Sequence, residues 1–369
     1  MRIAMIISSD LSTAGGVPEH VLNLQQELIQ LGHQVDIFGP EKNRYPFKNY
    51  HPIGNDISVP LPNGNWGAMQ IKKNEFIDEI NNHFDVCHVH EPYTPFVSWE
   101  VIQKVQIPIV ATFHSGWSTN SNIAFISNII PLFKEPYSQN VKASLYVSKL
   151  TQHLWEPLSD SRVLQRVIGF GVDSELFQAD RKQREPQNFN VLFLARLVKR
   201  KGLQYLIEAV AQVKDQIPEL QATVVGPGRD TQYFKDLTQQ HNVEHLFTFV
   251  GEVLGDKRVQ YFQAADAFCA PYIDEALGLT LLEALACECP LFGYWNEAFG
   301  EFLIKYPQQE KLFPAHGDIP ALAEALLLLY QDIKLRHQIE KWCHTQRDHH
   351  TWKSMAKRVE AVYQEVLSA

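Results

Sequence analysis

Residues Asp274–Glu283 read DEALGLTLLE, and they connect a predicted buried strand to a predicted helix, Leu279–Ala286. Glu275 and Glu283 stand on either side of Gly278, a residue type that allows a tight turn. Ligands of open α/β sheets bind beyond the carboxyl ends of the strands, and the free amides and dipole of a helix start favour a phosphate. The stretch therefore predicts an α/β sheet with a phosphate site between two carboxylates.

The same stretch also has a purely structural interpretation. Thr280 and Glu283 have the spacing of a capping box, in which the glutamate only stabilises the start of a helix. Glu275 would then be an ordinary loop carboxylate. Because short motifs also occur by chance, this stretch alone leaves both interpretations open.

A cluster of cations follows another predicted strand. Strand Val191–Leu194 precedes the sequence ARLVKRKG, which places Arg196 and Lys201 just before Gly202 and the predicted helix Leu203–Val213. A solvated basic loop is the simpler interpretation of such a run. Its position at the carboxyl end of a strand favours a binding role, in which the arginine forks onto phosphate oxygens and the lysine supplies a point charge. Together with the helix start after residue 278, this pattern predicts a diphosphate site.

Strands and helices alternate along both halves of the chain. Strand Ile3–Ser8 precedes a helix that is predicted to run from Gly15-Gly16 to Leu31, and further short apolar strands follow. The alternation restarts after a polar stretch, Asp180–Asn190, which we interpret as part of a linker. Such alternation is typical of parallel sheets with helices on both faces.

The length of 369 residues favours two domains. We predict an α/β protein with two Rossmann-like, doubly wound domains and a cleft between them. The first domain is expected at residues 1–175 and the second at residues 186–345. An amphipathic helix in residues 346–369 can cross back to the first domain.

Composition excludes several classes of protein. A net charge of −9 argues against nucleic-acid binding, and 45% hydrophobic residues supply two cores. The amino-terminal apolar run is too short for a signal peptide, and Ala321–Tyr330 is too short to span a bilayer. Five cysteines include Cys287-x-Cys289, which has the spacing of a metal half-site, but no second half-site follows. Buried, reduced thiols in a cytoplasmic protein are expected.

Glycines and histidines are the binding candidates of the first domain. Gly15-Gly16 lets the backbone approach a ligand closely, although it lacks the pattern of a dinucleotide fingerprint. His114 directly follows the predicted strand Ile109–Phe113, so it either ends the strand or hydrogen-bonds a ligand. His20, on the first helix, is a weaker candidate. His88 and His90 share one face of a strand and are assigned to structure rather than to a metal site.

Taken in order, Gly15-Gly16, His114, Arg196-x4-Lys201-Gly202 and Glu275-x7-Glu283 resemble the retaining glycosyltransferases of family 4, which have the GT-B fold. Segments such as GGVPEHVLNL, HEPYTPF and PIVATFH look especially similar to bacterial phosphatidylinositol mannosyltransferases. The resemblance covers nearly the whole chain.

The resemblance implies a role for each candidate. The catalytic group is Glu275, His114, Arg196 and Lys201. The donor-binding group is Gly16, Arg196, Lys201, Val253, Gly278, Leu279, Thr280 and Glu283. The acceptor-binding group is Asp10, Gly15 and His20.

The implied reaction is transfer of a hexose, of mannose or glucose type, from a nucleoside diphosphate sugar to a lipid or lipid-linked acceptor. The resemblance implies retention of anomeric configuration. No metal or cofactor is expected, because built-in cations neutralise the leaving diphosphate. A nucleotide-sugar 2-epimerase or a non-catalytic nucleotide-sugar binder with this architecture is the alternative. Ala276-Leu277 departs from the usual Gly-Phe or Ser-Phe, and Gly255 replaces an acid thought to read guanine. Asp256 is adjacent, and the carrier is GDP or UDP.

Peripheral contact with the cytoplasmic face of the inner membrane is an additional expectation. Residues Asn122–Lys134 carry Ile123, Ile126, Ile130 and Phe133 at helical spacing, which suits either a lipid surface or a protein core. The pair Lys72-Lys73 adds a small basic patch.

Overall fold

The structure is a computed structural model that describes residues 1–11, 15–40, 49–56, 69–71, 75–94, 97–115, 130–131, 133–185, 187–253, 255–273, 275–276, 278–300 and 302–369. Within them the chain forms two compact units. The first unit combines Met1–Gly171 with Trp352–Ala369, and the second is Val172–Thr351.

The first unit is built on a sheet of eight described strands in the order β4-β3-β2-β1-β5-β6-β7-β8. Strand β4 pairs antiparallel with β3, and every other pairing is parallel. The strands are β1 Arg2–Ile6, β2 Gln34–Pro40, β3 Tyr50–Asp56, β4 Met69–Ile71, β5 Val86–His90, β6 Ile109–Phe113, β7 Val141–Tyr146 and β8 Leu164–Val167. The helices are α1 Gly16–Gln30, α2 Glu75–His83, α3 Val97–Lys104, α4 133–140, α5 Lys149–Trp155 and, from the carboxyl end, α13 Trp352–Ser368.

Helix α1 forms where the sequence predicts it, because Val21, Leu24 and Leu28 recur at helical spacing and are fully buried. It ends before Gly32, whose φ of +91° suits a helix terminus. Helix α13 packs in the same unit, where the Tyr363 hydroxyl reaches a histidine of β5.

The second unit is a parallel sheet of five described strands in the order β11-β10-β9-β12-β13. The strands are β9 Phe189–Leu194, β10 Leu220–Val225, β11 Phe247–Gly251, β12 Ala267–Ala270 and β13 Leu291–Gly293. The helices are α6 Leu203–Val213, α7 Thr231–Gln240, α8 Val259–Ala264, α9 Leu279–Ala286, α10 Gln309–Leu312, α11 Ile319–Gln331 and α12 Ile333–Gln346. Strands β9, β12 and β13 are almost entirely buried, as expected for a sheet covered on both faces.

Several boundaries differ from the sequence-based prediction. Strand β1 ends at Ile6 rather than Ser8, although the Ile7 amide still donates to the Phe38 carbonyl of β2 at 3.0 Å. The predicted linker Asp180–Asn190 includes the start of β9, since Phe189 is buried and pairs with β10. Strands β3, β4, β7, β8 and β13 were not predicted. Strands β4, β8 and β13 contain only three or four residues, too few for a clear apolar pattern. They are defined by the strands they pair with rather than by their own sequences.

Most of the proposed lipid-facing segment, and the pair Lys72-Lys73, lie outside the described residues. Its described residues Ile130 and Phe133 contribute to the core of the first unit, where the Phe133 ring lies 4.3 Å from that of Trp99. For these two side chains the core-packing alternative is correct. Among the described helices, none combines the length and apolar character needed to cross a membrane. All five cysteines are buried and free, as predicted.

Candidate active site

The second unit has a topological switch point between its neighbouring strands β9 and β12. From β9 the chain continues through β10 to β11 on one side, whereas β12 leads to β13 on the other. A crevice opens at such a point outside the carboxyl ends of the strands. Arg196 and Lys201 follow β9, and Glu275 follows β12, so the predicted cations and the first predicted carboxylate flank one switch point.

Backbone contacts fix the two loops against each other. Gly202 has φ +77°, and a Cβ atom on it would lie 1.9 Å from the carbonyl oxygen of Pro271. The amide of Ile273 donates to the carbonyl of Arg200 at 3.0 Å. Only glycine combines this positive φ with so close an approach, which explains the glycine at the start of α6.

Lys201 and Glu275 form an ion pair across these loops. Their side chains are 12% and 17% exposed, and the lysine Nζ lies 4.6 Å from the centre of the Tyr272 ring. Burial lowers the pKa of Lys201, while the Glu275 carboxylate opposes that shift. The pair therefore holds one cation and one carboxylate in place at the edge of the sheet.

Arg196 contrasts with this pair. Its side chain is exposed, and it makes no hydrogen bond or ion pair with the residues that the structure describes. Desolvation lowers its pKa, with a further contribution from Arg200, and the charge of Glu275 acts in the opposite direction. An arginine of this kind is available to fork onto an anion without breaking an existing contact.

Helix α9 begins at the glycine turn. Gly278 is its N-cap with φ +84°, and no side chain of the described residues caps the helix. The capping box considered from the sequence is therefore wrong, because Thr280 lies inside the first turn. Its hydroxyl instead lies 3.0 Å from that of Tyr272, which donates to the carbonyl of Leu194 at 3.3 Å. Leu279 and Thr280 at the amino end of α9 are half-buried, and the free amides of a helix start suit an anion.

Glu283, one turn into α9, is the second predicted carboxylate. It is buried, and its Oε1 lies 2.9 Å from Nη2 of Arg258. Sequence reasoning missed this arginine, which precedes α8. Val253, the expected base-binding residue, is half-buried in the loop between β11 and Arg258, where Gly255 has φ +58° and Asp256 is exposed.

The first unit has its own switch point between β1 and β5, and the predicted glycines lie beside it. Gly15 is extended, with φ 173°, Gly16 does not lie in the left-handed region either, and a Cβ atom on Gly16 would come no closer than 4.0 Å to Phe170. The described residues therefore leave room at this helix start. Asp10 is half-buried in the loop after β1, and its charge adds to burial in raising the pKa of Tyr50.

His114 follows β6 as predicted and is 5% exposed. Its Nε2 lies 3.0 Å from Nδ1 of His90, and its ring lies 4.6 Å from that of His20. His20 is fully buried, so the prediction that it contacts an acceptor directly does not fit the structure. The His20 ring packs against the His114 ring instead. His88 is structural, as predicted, since both of its ring nitrogens are hydrogen-bonded, to Tyr363 and to Thr112.

Glu91 is a second residue that sequence reasoning missed. It follows β5 with φ +57°, a conformation uncommon for glutamate. Its carboxylate accepts hydrogen bonds from Ser9 at 2.9 Å and from Tyr93 at 2.8 Å, and burial raises its pKa. It could have been recognised in the sequence by its position, since it is an acidic residue directly after a buried strand. The contact ties the loop that carries Asp10 to the end of β5.

Two family models match the chain. Residues 14–176 match Glycosyltransferase Family 4, and residues 176–342 match Glycosyl transferases group 1.

Curated relatives extend over the full length. The phosphatidyl-myo-inositol mannosyltransferase of Mycobacterium leprae is 28% identical and covers 100% of this chain and 98% of its own length. The alpha-monoglucosyldiacylglycerol synthase of Acholeplasma laidlawii is 22% identical over 82% of each protein.

Solved structures match the fold. Anabaena HepE in complex with UDP superposes with a TM-score of 0.80 at 15% identity, covering 99% of this chain and 100% of that one. The sucrose-phosphate synthase of Thermosynechococcus elongatus gives 0.78 at 20% identity, covering 100% and 99%. With its two α/β sheets and both family models matched in succession, the chain belongs to glycosyltransferase family 4, has the GT-B fold and is a nucleotide-sugar-dependent glycosyltransferase.

Proposed function

We propose that this protein transfers a hexose from a nucleoside diphosphate sugar to a lipid or lipid-linked acceptor with retention of anomeric configuration. The observation that carries the proposal is the arrangement at the switch point of the second unit. There Arg196, which has no partner among the described residues, stands near the Lys201–Glu275 pair, beside the amino end of α9.

The second unit is proposed to be the donor domain. Arg196 and Lys201 bind the diphosphate, and the amides of Gly278, Leu279 and Thr280 meet phosphate or sugar oxygens. Glu283 accepts hydrogen bonds from the ribose hydroxyls, and the base packs near Val253. Glu275 contacts the transferred sugar.

The first unit is proposed to be the acceptor domain. Gly16 approaches the diphosphate, and His114 hydrogen-bonds the sugar near its reacting carbon. Asp10 and Gly15 lie on the acceptor side of this arrangement. The room that the described residues leave around Gly16, and the position of His114 directly after β6, support these roles.

The chemistry follows from the charges. The bond between the anomeric carbon and the phosphate oxygen breaks, and positive charge develops on the sugar while negative charge develops on the diphosphate. Arg196, Lys201 and the start of α9 stabilise the diphosphate, so the step proceeds without a bridging metal ion. The acceptor oxygen bonds to the same face of the anomeric carbon, and its proton passes to the departing phosphate oxygen. Retention results from attack on that face.

The acceptor class is inferred from the relatives. The names of two of them specify phosphatidyl-myo-inositol and a glucosylated diacylglycerol product, both of which are lipids. We therefore propose a lipid or lipid-linked acceptor, a mannose- or glucose-type donor carried by GDP or UDP, and peripheral attachment of a cytoplasmic enzyme to the membrane.

The proposal is tested by following products. The purified chain is incubated with GDP-mannose, GDP-glucose or UDP-glucose, with and without vesicles that contain phosphatidylinositol or diacylglycerol. Transfer releases the nucleoside diphosphate only when acceptor is present, and NMR of the product shows the same anomeric configuration as the donor. An isomerised nucleotide-sugar would identify an epimerase. Tight donor binding without turnover on any lipid would identify a binder, and inversion would overturn the mechanism.

A further inference from the structure

Arg196 lies in a loop, residues 195–201, that follows β9 and packs against the loop between β10 and α7. We call residues 195–201 the cation loop. A Cβ atom on Gly226 would lie 2.0 Å from the carbonyl oxygen of the residue before Arg196, and one on Gly228 would lie 2.1 Å from that of the residue after it. Backbones approach each other this closely only where one of them carries no side chain. The backbone of Arg196 is therefore held on both sides.

Hydrogen bonds join the same two loops. The amide of Leu197 donates to the carbonyl of Pro227 at 2.7 Å, and the amide of Asp230 donates to the carbonyl of Leu197 at 3.1 Å. The carboxylate of Asp230 in turn accepts from the amide of Lys199 at 3.0 Å. Asp230 therefore contacts the cation loop on either side of Val198, once through its backbone and once through its side chain.

The Asp230 carboxylate makes a different contact from the one that its position in the chain predicts. Asp230 is the N-cap of α7, and an aspartate there normally accepts from an amide of the first helical turn. No such bond to its side chain forms within the described residues. Departures from a local preference concentrate at functional sites. The carboxylate is thus directed at the loop of Arg196 rather than at its own helix.

The contact needs a hydrogen-bond acceptor more than it needs a charge. One carboxylate oxygen of Asp230, Oδ2, takes the Lys199 amide, and the other, Oδ1, lies 4.0 Å from Nε of Arg229. The Arg229 side chain is 86% exposed, and an exposed ion pair of this length contributes little to stability. The hydrogen bond to the amide is therefore the contact that fixes the cation loop.

We propose that Asp230 is a positioning residue for Arg196, which it acts on by holding the cation loop so that the guanidinium meets the donor diphosphate. The Arg196 side chain is exposed and makes no hydrogen bond or ion pair with described residues, so its backbone alone determines where it reaches. A shift of about 1 Å in such a group can cost a factor of about 10² in rate. This inference rests on the diphosphate role proposed for Arg196.

The test measures binding of a nucleoside diphosphate, so it needs no acceptor. GDP, UDP and ADP are titrated into the full chain by calorimetry, and the tightest binder is used for each variant. Asp230→Ala is expected to raise Kd about tenfold, whereas Asp230→Asn, whose side-chain oxygen still accepts the amide, should raise it less than about threefold. The matched control is Asp236→Ala, which removes an exposed aspartate of α7 that bonds to Gln232 and should bind like the wild type.

A second comparison separates positioning from a general disturbance of the fold. If Asp230 acts through Arg196, Asp230→Ala should raise Kd no more than about twofold in a chain that already carries Arg196→Met. A purely structural effect would weaken binding by the same factor in both backgrounds. If Asp230→Ala does not fold, as judged by circular dichroism, Asp230→Ser replaces it. Serine caps helices well, but its oxygen lies one bond closer to the backbone and loses the Lys199 amide.

Two kinds of failure are distinguishable. Factors that agree within about twofold in the two backgrounds, the usual limit of additivity, overturn this proposal alone, and a larger difference supports it. Wild-type affinity in Asp230→Ala, or Asp230→Asn binding as weakly as Asp230→Ala, also overturns it alone. If Arg196→Met binds the diphosphate like the wild type, or the wild type binds none of the three nucleotides, the proposed diphosphate role fails and this inference fails with it.

Discussion

The carboxylate of Glu283 is 1% exposed and lies 2.9 Å from the guanidinium of Arg258. Glu283 belongs to α9, and Arg258 ends the turn before α8. Strand β12 lies between these two elements in the sequence. The carboxylate proposed to hold the ribose is therefore already engaged by a cation of the same unit. A buried carboxylate of this kind is tolerated because its charge is compensated.

Removing Arg258 should destabilise the protein, because the Glu283 carboxylate stays buried without this cation. We expect Arg258→Met to lower the free energy of unfolding by about 2–3 kcal/mol, since the carboxylate loses this partner. The double variant Arg258→Met/Glu283→Gln should recover part of that loss. Urea denaturation of the wild type, both single variants and the double variant measures the coupling. Strictly additive effects would show that the ion pair does not determine stability here.

Arg196 should be important for transfer and unimportant for folding. Because its side chain contacts no described partner, Arg196→Met should leave the melting temperature unchanged. Transfer should fall by about 10²–10³, the usual loss when one stabilising group of a transition state is removed. Lys199→Met is the matched control, an exposed cation of the same loop that lies over the Tyr233 ring. Equal kcat/KM in Arg196→Met and the wild type would refute the diphosphate assignment.

Two glycines should respond differently to alanine. Gly16→Ala is expected to keep the fold, since a Cβ atom there meets no described atom closer than 4.0 Å, and to weaken donor use by crowding the ligand. Gly202→Ala is expected to destabilise the second unit by about 2 kcal/mol or more, because its φ is +77° and the new Cβ would overlap the Pro271 carbonyl. Thermal melting and KM for the donor separate the two effects. A Gly16→Ala protein with unaltered donor KM would remove this residue from the site.

Stability should fall in mild acid, because His20 is buried as a neutral ring. The pKa of His20 is lowered from 6.5 to about 3 in the folded state, so below pH 6.5 the unfolded chain binds more protons than the folded chain. The stabilisation is complete above pH 6.5 and is lost as the pH falls toward about 3. At pH 5 the loss from this residue is about 2 kcal/mol. His20→Gln should flatten the dependence of unfolding free energy on pH between 7 and 5, and a parallel profile would contradict the assignment.

The predicted elements that match most closely are those with strong local signals. Strand β6 and helices α6 and α9 have the predicted boundaries, because continuous apolar runs or helical spacing are bounded by glycine or polar residues. Strands β8 and β13 were missed, since four half-exposed residues and three buried ones carry little pattern of their own. Hydrogen bonding to a neighbouring strand, which depends on distant residues, defines them.

For the candidate site, the sequence predicted which residue types are present and in what order. It did not predict which residues they contact. The motifs around Arg196, Lys201, Glu275 and Glu283 were recognisable because phosphate chemistry needs cations and exposed amides at strand ends. Their spacing along the chain carried no information about which charge meets which.

By itself the amino-acid sequence determined two largely parallel α/β sheets and predicted the edge at which a ligand would bind, since hydrophobic periodicity and glycine turns act over a few residues. Only the tertiary structure decided that Arg258 faces Glu283, and that His20, His90 and His114 meet in one interior. Such contacts join residues tens of positions apart. They depend on strand order and helix packing, which no local pattern encodes.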